Sequence, residues 1–164
     1  NISLDLRITF NASLQNIDGL QNVISIGGEL KISDNDLLGD IDGIVAVATI
    51  GLSITIHNNN DLLHIDGLEQ ITQVNGDLII TGNNQLAHLD GLNNLILVEG
   101  TVDIEENLSL ESLDGLVNLI SIQGSLFITS NPLSPACLGI LMCPEGKPTR
   151  RSLWGHQACR VLLS

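Results

Sequence analysis

Leu113-Asp114-Gly115-Leu116-Val117-Asn118-Leu119-Ile120-Ser121-Ile122-Gln123-Gly124-Ser125-Leu126-Phe127-Ile128 is one copy of a unit that recurs along the chain. Its Asp-Gly pair is the marker. The same pair stands at Asp18-Gly19, Asp42-Gly43, Asp66-Gly67 and Asp90-Gly91, so successive glycines are 24 residues apart. A fixed period of this size means a solenoid, and it moves function toward a surface and away from a pocket. Asparagines keep the same interval at Asn11, Asn35, Asn59, Asn83, Asn107 and Asn131. Apolar residues precede each by five and three positions, as Leu30 and Ile32 precede Asn35. That alternation is the period of a half-buried strand. A glycine enters this strand at Gly28, Gly76, Gly100 and Gly124, while the second repeat has Leu52 there and Gly51 one place early.

Each unit therefore reads as one coil of a mainly β solenoid. Its strand pairs with the copy in the next coil about 4.8 Å away, which makes a rod about 25–30 Å long. No coil buries its apolar face alone, so stability comes from neighbours. The Asn column is expected to turn its amides inward onto backbone groups. The Asp-Gly column is expected to supply turn chemistry, Asp bonding a nearby N–H and Gly taking a φ that other residues resist. Composition agrees: apolar residues are 43% of the chain and aromatics only 2%, so Leu, Ile and Val fill narrow coils.

The organisation changes near residue 131. All four prolines and all three cysteines lie beyond it, with the only Met and the only Trp. Residues 1–134 read as a solenoid of five to six coils and 135–164 as a C-terminal cap over the last apolar coil. Residues 1–10 read as a bare first strand, whose edge needs cover from missing sequence, sugar or another chain. The absence of an initiator Met fits a processed or partial chain. Residues 1–134 carry 18 acidic and 2 basic side chains, a net of −16, and residues 135–164 a net of +3. So acidic a body repels nucleic acid and anionic membranes. No apolar run approaches the length of a membrane span. Three cysteines allow one bridge with one left over, which suits an oxidising setting, or three reduced thiols. Sequons occur at Asn1, Asn11 and Asn107. Asn1 is the candidate acceptor, because the other two belong to the inward column.

The unit quoted above, with its Leu-Asp-Gly-Leu start and the Ile-x-Gly-x-Leu-x-Ile that follows, resembles the receptor L-domain family of leucine-rich-like repeats. That family includes ligand-binding domains of growth-factor and insulin receptors and surface proteins of fungi, bacteria and protists. The resemblance covers about residues 4–134. It implies a right-handed parallel β-solenoid outside the cell or on its surface, without implying one ligand. The run Asn131-Pro132-Leu133-Ser134-Pro135-Ala136-Cys137 resembles the cap of microbial members. There Cys137 and Cys159 are expected to pair, leaving Cys143 spare.

Catalytic motifs are missing. There is no Gly-x-Ser-x-Gly and no phosphate loop, and no acid–base constellation stands out. No cofactor is implied. His64 and His88 share a column with Asp40, a weak candidate for zinc or copper. On the outward side of the strands one column runs Arg7, Lys31, Thr55, Ile79, Asp103, Phe127. Ile79 and Phe127 are its anchors for a protein partner, as apolar residues on exposed strands. The leading expectation is a non-catalytic extracellular recognition or adhesion module for a protein or cell-surface ligand. Its rival is a structural subunit that stacks head to tail with copies of itself, acidic body to basic C-terminal segment. A metal-binding surface protein is the weaker third.

Overall fold

The computed structural model describes residues 1–133 and, by backbone alone, the strand 159–162. Each coil contributes one long strand: β1 Leu6–Thr9, β3 Leu30–Ser33, β5 Ile54–His57, β7 Leu78–Thr81, β9 Val102–Glu105 and β11 Leu126–Thr129. These six pair in parallel, in sequence order, with equivalent residues side by side: Leu30 beside Ile54, Ile54 beside Leu78, Leu78 beside Val102. The offset is 24 residues at every joint. A seventh strand, β12 Cys159–Leu162, pairs in parallel with β11. The expected cap at 135–164, with Cys137 and Cys143, otherwise lies outside the described residues.

Two-residue strands form a second parallel array. β2 Ser25–Ile26 pairs with β4 Thr49–Ile50, and β6 Gln73–Val74, β8 Leu97–Val98 and β10 Ser121–Ile122 pair with one another. The break between β4 and β6 falls beside Leu52, where the other coils carry glycine. The Asn75 amide bridges the opening, its Nδ2 donating to the carbonyls of Ile50 and Gly51 at 3.5 and 3.4 Å.

Between the strand layers lies one core of stacked Ile, Leu and Val, such as Leu38, Leu62 and Leu86 in one column, all fully buried. This is a β-solenoid-like stack, and it is mostly parallel sheet. Each Asp-Gly pair opens a single 3-10 turn: Asp42–Ile44, Asp66–Leu68, Asp90–Leu92 and Asp114–Leu116 repeat the turn at Asp18–Leu20.

The expected reason for the Asp-Gly glycines is corrected. Among the described residues the only glycine with positive φ is Gly82. Gly43, Gly67, Gly91 and Gly115 are required by crowding instead. A Cβ on each would overlap the carbonyl of Ile17, Ile41, Ile65 or Leu89 one coil earlier. Gly19, in the first coil, has nothing within 4 Å. The Asp side chains make no capping bond in these turns. The residue two places earlier does so: Asn16 Oδ1, Asp40 Oδ1 and Ser112 Oγ accept from the N–H of Asp18, Asp42 and Asp114.

Positive φ occupies a different column. Phe10, Asp34, Asn58, Gly82, Glu106 and Ser130, each one place before a ladder asparagine, have φ between 54° and 66°. Asn, Asp and Gly accept this left-handed conformation readily, whereas it strains a residue such as Glu. Replacing Glu106 by Asn is expected to stabilise the fold by about 0.5–1 kcal/mol, read as a higher unfolding midpoint in denaturant. Gly82→Ala is expected to lower it.

Candidate functional site

The inward asparagines are spent on the backbone. Asn59 is fully buried. Its Nδ2 donates to the carbonyls of Ile32 and His57, both at 3.1 Å, and to Asn83 Oδ1 at 3.2 Å. Its own Oδ1 accepts from the N–H and Nδ2 of Asn35 at 3.2 and 3.1 Å. Asn35, Asn83 and Asn107 repeat the pattern, and Asn131 donates to Ile104 and Thr129. Asn11 is at the exposed end of the ladder and donates to Thr9 and Asn35. A glycan at Asn107 would have to displace a buried amide; the Asn1 side of the chain is exposed.

Immediately outside this column the chain carries a second set of ladders that face solvent. Asn60 Nδ2 donates to Asp36 Oδ1 at 2.7 Å, and Asn84 Nδ2 donates to Asn60 Oδ1. Asn58 Nδ2 donates to Asp34 Oδ1 at 3.2 Å, and Gln85 Nε2 to Asp61 Oδ1 at 3.1 Å. Burial alone would raise the Asp34 carboxyl, but the hydrogen bond from Asn58, the neighbouring Ser33 hydroxyl and the charges of His57 and Lys31 hold it below its ordinary value. Along this lane runs an open groove of about 440 Å³, lined by Asn58, Asn60, Gly82, Asn84, Glu106, Leu108 and Ser130. The left-handed column and these amides were not singled out from the sequence. The signal was present in Asp34, Asn58 and Gly82, turn formers standing at one interval.

The anchors expected on the sheet face are less exposed than their sequence position implied. Ile79 and Phe127 are half-buried. The well-exposed apolar side chains lie elsewhere, among them Phe10 at 79% and Ile120 at 65%.

The column of Asp40, His64 and His88 does not converge as a metal site. Among the described residues no three His, Cys, Asp or Glu side chains are placed to hold an ion. Asp40 is engaged in its turn. The His64 and His88 rings stack with centroids 6.3 Å apart and planes within 1°. Their Nδ1 atoms face the Asp column, His64 at 3.5 Å from Asp66 and His88 at 3.4 Å from Asp90. Burial pushes the Asp42 carboxyl above its ordinary value; His64 opposes this, and the carboxylates of Asp40, Asp66 and Asp18 reinforce it. No described helix is long and apolar enough to cross a membrane.

No protein-family profile, curated protein or solved structure matches this chain.

Proposed function

We propose that this chain is a non-catalytic recognition module working outside the cell or on its surface, with the right-handed, receptor L-domain-like architecture its sequence resembles. The coil length, the Leu/Ile columns and the inward Asn ladder support that architecture. The observation that carries the function is the outward amide and carboxylate lane beside the groove at Asn58, Asn60, Asn84 and Glu106. These groups are held by the same coil spacing that holds the core. Their hydrogen-bonding positions are therefore fixed before a ligand arrives, which lowers the ordering cost of binding. The exposed Leu108 side chain adds an apolar contact to a polar rim. A protein or glycan on a cell surface fits this mixture.

The test is binding of the fluorescently labelled chain to intact cells by flow cytometry. Replacing Asn60, Asn84 and Leu108 together by Ala is expected to weaken binding by about tenfold or more while the unfolding midpoint moves little. Binding unaffected by the triple change, or no binding to any cell type, would remove this reading.

A further inference from the structure

The outer face of the long-strand sheet carries both signs of charge near β1 and β3, where Arg7 is held by Asp5 at 3.0 Å and Glu29 at 3.1 Å, and carboxylates near β9. Arg7 and Lys31 stand on β1 and β3, and Asp103 and Glu105 stand on β9. Lys31 has no carboxylate within ion-pair distance among the described residues and gives only a longer-range attraction to Asp34. Asp103 lies between half-buried Ile79 and Phe127 in the same column, and its buried Oδ1 has no hydrogen-bond partner. Burial pushes its carboxyl above the ordinary value, and Glu105 adds to this. Lys31 and Asp103 are three coils apart, about 14 Å at the strand spacing, so they do not pair within one molecule.

A two-fold axis lying along the strands, midway between β5 and β7, removes that separation. It reverses the order of coils and keeps each position along the strand. We propose that this face binds a second copy of the chain, sheet against sheet with coil order reversed, Lys31 of each copy meeting the partner's Asp103. In that register Thr55 meets the partner's Ile79, and Arg7, whose side chain is 59% exposed, meets the partner's Phe127 ring in a cation–π contact. Along the strands no like charges face each other, Glu29 lying opposite Thr101, Asp77 opposite Ser53 and Glu105 opposite Ser33; one place past the strand ends Asp34 comes opposite Glu106. A slip of one coil sets Glu29 against Asp77, or Asp77 against itself, and takes Lys31 off Asp103; the first slip brings to Asp103 only Arg7, already held by Asp5 and Glu29, so the unpaired Lys31 favours the stated register. The isologous geometry closes at two copies. From β1 to β11 the face measures about 29 Å across and about 13 Å along the strands, with β12 adjoining at the β11 edge. Its footprint is about half of what each partner buries in a standard stable complex, so the dimer is weak and sensitive to salt.

Sedimentation equilibrium of the full chain, from micromolar to millimolar at low salt, tests this. The mean mass is expected to rise toward twice the monomer, stop there, and fall back on adding salt. Lys31→Glu and Asp103→Lys each place like charges across both contacts and are expected to weaken association by about tenfold or more. Mixing these two variants restores opposite charges at both contacts. The two substituted side chains meet at one contact, and the unchanged Asp103 and Lys31 meet at the other. Combining both substitutions in one chain restores the contacts as well, with their polarity reversed. Circular dichroism of each variant checks that the fold is retained, and the recovery on mixing reads association independently of it. Wild-type chain that stays monomeric throughout, mass that grows past two copies, single variants that associate like wild type, or a mixture that fails to recover would each overturn the inference. The groove residues lie off this face, so the groove triple variant still dimerises, and loss of either behaviour leaves the other intact.

Discussion

Gly67→Ala and Gly91→Ala each destabilise the chain by about 3 kcal/mol or more, while Gly19→Ala changes stability by less than about 0.5 kcal/mol. The three substitutions are chemically identical and fall at the same place in their units. They differ only in what lies one coil earlier. The added methyl at Gly67 overlaps the carbonyl oxygen and carbon of Ile41, and at Gly91 those of Ile65. These are backbone atoms held by their own 3-10 turns, so no rotamer change relieves the overlap and the coils must separate. At Gly19 there is open space. Thermal unfolding of the three variants reads the difference: a drop on the order of 10 °C at the two inner sites and little change at the outer one. A conformational explanation, in which every Asp-Gly glycine needs a special φ, predicts equal losses at all three. Equal losses would therefore refute the steric account.

Asn83→Ala is the second large effect, about 3–4 kcal/mol. The substitution removes one side chain but strands several partners. The carbonyls of Ile56 and Thr81 lose the Nδ2 that reaches them at 3.0 and 3.2 Å. Asn59 loses the acceptor for both its backbone N–H and its own amide, at 3.1 and 3.2 Å. The site is fully buried, so water does not replace these bonds. Asn83→Leu restores the volume without the hydrogen bonds and is expected to be about as damaging, which separates polarity from cavity formation. Asn11→Ala, at the exposed end of the column, costs about 1 kcal/mol. Hydrogen exchange should show the loss of protection centred on the coils either side of position 83, because each coil contacts only its neighbours. Uniform loss over the whole chain, or an Asn83→Leu variant as stable as wild type, would contradict this.

The 24-residue spacing makes the parallel stack and its register legible in the sequence, because strand pairing at a constant offset leaves a constant interval between like residues. The inward direction of the Asn column does not follow from strand alternation, since Asn35 stands an odd number of places after inward Leu30 and Ile32; the left-handed residue before each asparagine turns it inward. Several features were hidden, each for a physical reason. The need for glycine after Asp comes from an adjacent coil, a contact between residues 24 or more apart that local turn statistics do not describe. The left-handed column was masked because Phe10, Glu106 and Ser130 occupy it beside the turn formers Asp34, Asn58 and Gly82. The outward strand residues Ile79 and Phe127 were read as free anchors, yet in a stack at strand spacing each side chain is flanked by its neighbours. The outward amide lane was missed because an exposed asparagine differs from an inward one only by its place beside the strand.

The constant shift at every joint has a consequence for how such a chain changes length. Excising or duplicating one whole 24-residue unit leaves each remaining carbonyl, amide and glycine facing an equivalent neighbour, so the interior is indifferent to the tally of coils. The outer sheet is not indifferent. One coil more or less between Lys31 and Asp103 moves the midpoint of the face and changes which residues meet across it. Length variation of this kind would conserve folding while rewriting the choice of mate.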